Sequence, residues 1–387
     1  MSLRVLHTVA SVGDTYGGVA SALHVLGAVE QAAGHDATLL TLSRPEQGSA
    51  LLGSMPHFDV ALIRPGRLAG RLHGGSRLGA ALQRLVPQHD LVVLHGVFDL
   101  TSLVGGRTAR RFGVPYLLWP HGSLDPYDLV KHGSLKRRLA PLWRENLSGA
   151  TALMCTTARE AALVETFGAS TATAVLPLPV AGAAQPPDRA RARAALGLAP
   201  DARLVLFCGR VDAKKGLPLL LDVFAASAGP RDVLVVAGSG DERLAERLRA
   251  RAAELPCADR IRFPGWVDAP SRADLLAAAD VFALLSENEN FSVATAEALR
   301  AGTPALVSDQ VYLADELGRA GAARVCRAEH VAACAALRGL LDNPGERAAL
   351  ARAGRAWAAE TLDLAVVSGR YRELVQEVMS RCPQSVF

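Results

Sequence analysis

The sequence is poor in the residue types and spacings that mark several large protein classes. Aromatic residues make up 5% of the chain, too few for a surface that stacks many nucleic-acid bases. Its six cysteines form no C-x-x-C pair, and its ten histidines show no H-E-x-x-H spacing. We therefore expect neither a thiol redox motif nor a zinc site held by the protein, and we expect reduced thiols in a cytoplasmic protein.

Long apolar runs are also missing, and neither sign of charge is in large excess. No run approaches the roughly 18 residues that span a bilayer. The first residues lack a charged segment followed by a long apolar one, so we expect no secretory signal. The 42 basic residues nearly balance 38 acidic ones, giving a net charge of +4, which does not call for a nucleic-acid partner.

What the 387 residues do contain is a regular alternation of short apolar runs and amphipathic stretches. Fully apolar strands separated by helices predict parallel sheets that are covered on both faces. The predicted strands are residues 3–9, 36–42, 59–63, 90–95, 116–119, 152–155, 173–176, 203–208, 232–237, 261–263, 281–285, 305–307 and 323–326. Helices are predicted between them, and two long helices close the chain, over 345–360 and 364–379.

A proline-rich segment divides this alternation into two halves. Residues 177–187 include four prolines, which favour an extended connector. We predict an α/β protein with two doubly wound domains, over residues 1–178 and 189–362, joined by a linker over 179–188. Because ligands bind at the carboxyl ends of parallel strands, the loops after the strands are the candidate sites.

The loop after the predicted strand 203–208 reads Cys208-Gly-Arg-Val-Asp-Ala-Lys-Lys-Gly216. Arg210 and Lys215 therefore lie at the carboxyl end of a strand and just before a helix. Two cations at a helix start can clamp a diphosphate together with free backbone amides. The alternative is an ordinary solvated basic turn.

The loop after strand 281–285 reads Ser286-Glu-Asn-Glu-Asn-Phe-Ser292 and leads into another helix. Ser292 is predicted to cap that helix, so the amides around it would point toward an anion. Glu297 would lie roughly 7.5 Å along the helix, at about 1.5 Å per residue. That distance suits the step from a phosphate to a ribose, with Glu289 on the sugar side. The alternative makes Glu289 a turn residue and Glu297 a surface helix residue.

Two features of the first half follow the same logic. Gly17 and Gly18 follow the first strand and open the first helix, so their backbone could approach a phosphate closely; a plain turn is the alternative. His121 stands between Pro120 and Gly122 at the end of strand 116–119. It could donate to a sugar hydroxyl or a phosphate, or it could be a capped loop histidine. His95 has a similar position and ranks lower.

The order of these motifs resembles family 4 of the retaining glycosyltransferases over nearly the whole chain. That family has the GT-B fold, in which two doubly wound Rossmann-like domains with parallel sheets face a cleft. The segments that carry the resemblance are Gly209-Arg210, Lys215-Gly216, Phe263-Pro-Gly-Trp-Val267, Ala279-Asp-Val-Phe282, Glu289 with Glu297-Ala-Leu299, and Ala301-Gly-Thr-Pro304.

The resemblance implies that the second domain binds a nucleotide-sugar. Arg210 and Lys215 would hold the diphosphate, Glu289 the sugar hydroxyls and Glu297 the ribose, while other residues supply backbone amides or contact the base. The donor-binding residues implied are Gly17, Gly18, Arg210, Lys215, Trp266, Val267, Glu289, Phe291, Ser292, Val293 and Glu297.

The resemblance also implies the reaction. His121, Arg210, Lys215 and Glu289 would be the catalytic residues, with His121 near the reacting carbon of the donor. A hexose or N-acetylhexosamine would pass from a nucleotide-sugar, a UDP-sugar being favoured, to an acceptor hydroxyl with retention of configuration. No Asp-x-Asp pair is present, so we expect neither a metal nor any other cofactor. The first domain would take the acceptor, and a C-terminal helix over 363–387 would return to it.

Three departures from the family pattern stand out. Ser292 occupies the position of a family glycine, which bears on the geometry of the amide loop. Pro179-Val-Ala-Gly182 replaces the family's Asn-Gly-Val-Asp near the linker, and Leu285-Ser286 replaces its Pro-Ser.

The acceptor can be narrowed only through charge. The first-domain loops contain several carboxylates, which would attract a cationic amine, namely Asp14, Asp99, Asp125 and Asp128. The chain also resembles the actinomycete 2-deoxystreptamine glycosyltransferases of aminoglycoside antibiotic biosynthesis. The alternatives are an enzyme of polysaccharide or lipid-linked glycan synthesis, docked on membranes through the basic helix 131–147, an epimerase, and a non-catalytic nucleotide-sugar binding protein.

Overall fold

The computed structural model of the chain describes residues 2–12, 17–42, 55, 57–63, 75–130, 133–180, 182 and 185–381. These residues belong to two compact units. One unit consists of Met1–Pro179 together with Leu364–Phe387, and the other consists of Val180–Asp363. Each unit has its own parallel sheet and its own core.

The sheet of the first unit has seven strands in the order β3-β2-β1-β4-β5-β6-β7, and that of the second has six in the order β10-β9-β8-β11-β12-β13. All pairings are parallel. The strands are β1 (Arg4–Val9), β2 (Asp36–Leu42), β3 (Asp59–Ile63), β4 (Leu91–His95), β5 (Tyr116–Trp119), β6 (Ala152–Cys155), β7 (Thr173–Val175), β8 (Arg203–Cys208), β9 (Asp232–Ala237), β10 (Ile261–Gly265), β11 (Val281–Leu284), β12 (Ala305–Ser308) and β13 (Arg324–Cys326).

Helices connect most successive strands within the described residues. They are α1 (Gly17–Ala33), α2 (Gly75–Leu85), α3 (Leu100–Phe112), α4 (Pro126–Val130), α5 (Gly133–Ser148), α6 (Ala158–Thr166), α7 (Arg189–Ala195), α8 (Leu217–Ser227), α9 (Glu242–Ala253), α10 (Ala269–Ala278), α11 (Val293–Ala301), α12 (Ala314–Arg319), α13 (His330–Asp342), α14 (Pro344–Leu362) and α15 (Leu364–Arg381). No helix among these combines the length and the apolar character that crossing a membrane requires.

The predicted fold class is confirmed, because central strands such as β4, β5, β9 and β11 are buried along their whole length. Helices on both faces remove the apolar side chains of such strands from water. The short helix α4 was not predicted, because its five residues are too few to show a helical period.

The last helix belongs to the first unit. Tyr371 on α15 donates a hydrogen bond to Glu30 Oε1 on α1 at 2.5 Å, and Arg372 Nη2 donates to Ala32 O at 2.8 Å. Both contacts tie α15 to α1. The tyrosine is 2% exposed, so the contact is part of the core of that unit.

Helix α11 of the second unit begins at a strained residue. Ser292 caps the helix with φ 59° and ψ 73°, in the left-handed region that favours glycine. Its Oγ lies 2.7 Å from Thr295 Oγ1 and accepts from Thr295 N at 3.4 Å. The serine therefore combines an unfavourable backbone conformation with a favourable cap.

Substitutions at Ser292 separate these two effects. Ser292→Ala keeps the strain and loses the cap, whereas Ser292→Gly loses the cap and relieves the strain. We expect the alanine variant to be the less stable of the two by about 1 kcal/mol. Equilibrium denaturation of both variants checks this, and equal stabilities would show that the left-handed conformation costs nothing here.

Candidate active site

The loops after β8 and β11 lie side by side, because these two strands are neighbours in the second sheet. Glu287 N, in the second loop, donates to Lys214 O, in the first, at 2.8 Å. Gly216 has φ +65°, and a Cβ there would lie 1.9 Å from Leu285 O. Only glycine permits this approach, which brings Lys215 next to the second loop.

Lys215 and Glu289 form an ion pair between these loops. Lys215 Nζ contacts Glu289 Oε2, and the two side chains are 15% and 14% exposed. Partial burial weakens solvent screening, so this pair interacts more strongly than a surface pair. A cation and a carboxylate held together can serve a phosphate and a sugar hydroxyl respectively.

Arg210 lies in the same loop as Lys215 but has a different partner. Its Nη2 is 2.8 Å from Asp212 Oδ2, and its side chain is 44% exposed. Asp212 also caps the 3₁₀ turn that contains Lys215, by accepting from Lys214 N at 3.2 Å. Of the two predicted cations after β8, Arg210 is therefore exposed and Lys215 is shielded.

The loop after β9 supports the loop that carries Arg210, a feature that the sequence reasoning missed. Val211 N donates to Ser239 O at 2.9 Å, and a Cβ on Gly238 would lie 1.8 Å from Gly209 O. The signal was present, because Gly238-Ser-Gly240 directly follows a fully apolar strand. Such a turn lets two loop backbones pack without side chains between them.

The loop after β12 holds the backbone of Glu289 from the other side. Glu289 N donates to Gln310 O at 3.2 Å, and Tyr312 N donates to Glu289 O at 2.9 Å. Loops after four adjacent strands are therefore joined through their backbones. The backbone from which the Glu289 side chain extends is therefore held on both sides.

The other predicted donor residues of the second unit have different settings. Phe291 and Ser292 are 4% and 3% exposed at the start of α11, where the first helical amides have no intrahelical acceptor. Glu297 Oε1 is 3.0 Å from Arg272 Nη2; burial raises the pKa of Glu297, and the arginine opposes that rise. Trp266, which follows β10 and precedes Val267, is 72% exposed.

In the first unit, His121 sits on a tight turn after β5. Its φ is 52° and that of Gly122 is 76°, so two successive residues take left-handed conformations. Gly122 N donates to Glu160 Oε1 at 2.6 Å, which fixes the turn. His121 Nε2 lies 2.8 Å from His95 Nδ1, so the structure brings together two histidines that the sequence analysis ranked separately.

The predicted acceptor carboxylates have local roles where they are described. Asp99 caps α3 by accepting from Ser102 N at 2.8 Å, and Asp125 accepts from Tyr127 N at 2.7 Å. Asp128 is half-buried on α4. Asp14 lies outside the described residues. Gly17 and Gly18 are the first two residues of α1.

Burial governs the charge of the histidines near His121. It lowers the pKa of His121 from 6.5 to about 3 and that of His95 well below 6.5. Both are therefore neutral at pH 7. Burial would raise the pKa of Glu30, but hydrogen bonds from His35, His7 and Tyr371 lower it from 4.5 to about 2.

These pKa values predict acid lability. A histidine whose folded pKa lies below its unfolded value of 6.5 contributes stability above that pH, and the contribution is lost as the pH falls toward the folded value. Glu30 adds a further loss below 4.5. The free energy of unfolding should therefore fall between about pH 7 and pH 5. In His121→Gln this fall should be smaller than in the unmodified protein by roughly 2 kcal/mol.

Urea unfolding at several pH values measures this slope. His330→Gln, which changes an exposed histidine on α13, is the matched control and should retain the slope of the unmodified protein. A slope that is the same in all three proteins would contradict the assignment of a buried neutral His121.

Each of the two units matches a model of a known protein family. The family model described as glycosyl transferases group 1 matches residues 188–357, and the glycosyl transferase 4-like domain matches residues 17–179. The D-inositol 3-phosphate glycosyltransferase of Jonesia denitrificans is 31% identical over 266 residues, or 63% of this chain; the chain spans 61% of that protein's length.

A second relative covers more of the sequence. The GDP-mannose-dependent alpha-(1-6)-phosphatidylinositol dimannoside mannosyltransferase of Mycobacterium tuberculosis is 30% identical over 318 residues, 79% of each chain. The crystal structure of Anabaena HepE in complex with UDP aligns with a TM-score of 0.79 at 16% identity, covering 97% of this chain and 100% of that one, which establishes the GT-B fold. With both units matched, the chain belongs to the group 1 glycosyl transferases and is a glycosyltransferase.

Proposed function

We propose that the chain transfers a hexose or N-acetylhexosamine from a nucleotide-sugar to a hydroxyl of a cyclitol acceptor, with retention of configuration. A UDP-sugar is the favoured donor, and 2-deoxystreptamine is the favoured acceptor. The observation that carries the proposal is the shielded pair of Lys215 and Glu289, held between the loops after β8 and β11.

The second unit would bind the donor. As the sugar leaves, negative charge builds on the diphosphate, and cations fixed before the reaction stabilise that charge without rearranging. Lys215 is held by Glu289 and Arg210 by Asp212. These two cations and the first amides of α11 would neutralise the leaving group, so we propose that the reaction needs no metal.

The carboxylates would orient the sugar and the ribose. Glu289 would accept hydrogen bonds from sugar hydroxyls while its backbone is held by Gln310 and Tyr312. Glu297, four residues after the start of α11, would accept from the ribose. Trp266 and Val267 would contact the base through their backbone, as the resemblance to the family implies.

Retention would follow from attack on the same face as the leaving group. The acceptor oxygen forms its bond to the sugar as the bond from that carbon to the phosphate oxygen breaks, and the phosphate takes the acceptor's proton. His121 of the first unit would contact a sugar hydroxyl. Support for a UDP donor comes from HepE, whose crystal structure contains UDP.

The choice of acceptor class draws on the relatives. Both names contain inositol, a ring of six carbons bearing hydroxyls, as D-inositol 3-phosphate or as phosphatidylinositol dimannoside. 2-Deoxystreptamine is a ring of the same kind with two amines. Asp128, a half-buried carboxylate on α4, is the residue that we assign to an ammonium group of the acceptor.

A lipid-linked glycan is the second candidate acceptor. The Mycobacterium tuberculosis relative acts, by its name, on a phosphatidylinositol dimannoside. Arg137 and Arg138 are exposed on α5, where a basic helix face can meet anionic lipid.

Removing either member of the central pair should impair catalysis strongly. Lys215→Ala or Glu289→Ala is expected to lower kcat/KM by roughly two orders of magnitude, because each removes one preorganised contact. Lys214→Ala and Glu287→Ala change the same residue types in the same loops and are the matched controls. Near-normal rates in a folded Lys215 or Glu289 variant would reject the donor-site assignment.

The substrates can be settled by a matrix of transfer reactions in excess EDTA. UDP-glucose, UDP-N-acetylglucosamine and GDP-mannose are each combined with 2-deoxystreptamine, D-inositol 3-phosphate or an undecaprenyl-linked sugar. We expect turnover with a UDP-sugar and 2-deoxystreptamine, and proton couplings in the product show whether configuration is retained. Transfer only to the lipid-linked sugar would reject the aminocyclitol acceptor, and donor binding with no transfer to any of the three would reject all three acceptors.

An acceptor control isolates the role of charge in that reaction. Asp128→Asn should lower kcat/KM for 2-deoxystreptamine more than for myo-inositol, which has hydroxyls but no ammonium group. Glu165→Gln removes an exposed carboxylate on α6 and should affect neither acceptor. Equal losses for both acceptors in Asp128→Asn would show that this carboxylate is structural.

A further inference from the structure

A line of buried, hydrogen-bonded side chains runs through the first unit and ends at His121. Glu30 Oε1 is 2.8 Å from His7 Nε2, His7 Nδ1 is 2.9 Å from His95 Nε2, and His95 Nδ1 is 2.8 Å from His121 Nε2. Glu30, His7 and His95 are 1%, 1% and 2% exposed. Of these side chains, the proposed function uses only His121.

The fold aligns these groups. His7 lies on β1, His95 ends β4 and His121 follows β5, and these three strands are consecutive in the sheet. The ring planes of His7 and His95 differ by 16°, and those of His95 and His121 by 23°. Nitrogen therefore faces nitrogen at each step. The separations of 2.9 and 2.8 Å between the facing ring nitrogens are hydrogen-bond distances, so the line is a hydrogen-bond path.

Glu30 determines which nitrogen donates in each hydrogen bond of the line. Its carboxylate faces His7 Nε2 and the hydroxyl of Tyr371 at Oε1, and His35 Nδ1 at Oε2, 2.8 Å away. An ionised carboxylate only accepts hydrogen bonds, and three donors keep it ionised, in accord with its pKa of about 2. His7 must therefore carry its proton on Nε2.

The remaining protons follow from this one. In the form of His7 that carries this one N–H, Nδ1 is bare and accepts from His95 Nε2. His95 Nδ1 is then bare in turn and accepts from His121 Nε2. The opposite order would need either a protonated Glu30 that donates toward His7, against three groups placed to donate to it, or a doubly protonated His7 that donates from both ring nitrogens.

We propose that Glu30, His7 and His95 are positioning residues that fix His121 as the Nε2–H tautomer, so that His121 Nδ1 accepts a hydrogen bond from a sugar hydroxyl. Within the described part of the chain, His121 Nδ1 has no protein partner. The role toward a sugar depends on the proposed function, whereas the tautomer does not. Toward the sugar, His121 would therefore be a hydrogen-bond acceptor, whereas the sequence predicted a donor.

The tautomers can be measured on the unmodified protein. With ¹⁵N-labelled histidine, long-range ¹H–¹⁵N spectra distinguish the Nε2–H form, the Nδ1–H form and the imidazolium. We expect His7, His95 and His121 all to be Nε2–H at about pH 7. Signals are assigned with single His→Gln variants. An Nδ1–H or imidazolium signal for His121 would overturn the proposal whether or not the protein transfers sugar.

Variants of His7 test the coupling. Leucine offers no hydrogen bond to His95, so the proton of His95 can lie on either ring nitrogen. Glutamine keeps one donor and one acceptor at position 7. His7→Leu should give His121 a mixture of tautomers and lower kcat/KM about tenfold, the effect of one hydrogen bond. His7→Gln should restore the Nε2–H signal and most of the rate.

His35→Gln is the matched control, because it changes a buried histidine on the other oxygen of Glu30. It should leave both the His121 spectrum and the rate unchanged. An unchanged His121 spectrum in His7→Leu, or an equal effect of His35→Gln, would overturn the proposal. An intact tautomer pattern with no turnover on any substrate would instead count against the proposed function alone.

Discussion

Parallel strand pairing determines where chemistry can occur in both units. A parallel sheet with covering helices places every loop that follows a strand at the same edge. Lys215 and Glu289 are 74 positions apart, yet they meet because β8 and β11 are neighbours. His7 and His95 are 88 positions apart and meet for the same reason on β1 and β4. Strand order, more than distance along the chain, decides which side chains can act together.

The two units handle buried charge differently, and the difference matches their proposed roles. Glu289 is paired with one cation and both side chains keep some exposure, so a ligand can take over part of that pairing. Glu30 is almost fully buried and is met by three donors, so nothing remains for a ligand to replace. An unpaired charge would be costly at either place. The first arrangement suits binding, and the second suits the orientation of neighbouring groups.

Local sequence predicted the fold well because both sheets are built from apolar runs that stand out against amphipathic helices. Strands such as β2, β5 and β8 begin and end at the predicted residues. The histidine line was not predicted, since its members are spread over β1, α1, β4 and β5. The sequence singled out His121 and His95 one at a time, and His7 stands out as a histidine in the middle of β1. Its partners depend on strand order, which one sequence does not reveal.

The candidate donor site was located by the order of its motifs, but its internal contacts were not. The sequence indicated that Lys215 and Glu289 both serve a ligand, without indicating that they pair with each other. Ser292 illustrates the opposite case. As a departure from a family glycine it left the loop geometry open, and the structure places it in the left-handed conformation that a glycine would take. A side-chain cap to Thr295 offsets the strain that the missing glycine creates.

The way each loop is fixed also bears on specificity. The loops after β8, β9, β11 and β12 hold one another through backbone hydrogen bonds, which most side-chain changes leave intact. The turn at His121 instead depends on a side chain, Glu160, and the start of α3 depends on Asp99. A substitution at Glu160 or Asp99 would therefore remove a support of these first-unit loops. Recognition of the acceptor should thus vary more readily among relatives than recognition of the donor, and this is consistent with assigning the acceptor to the first unit.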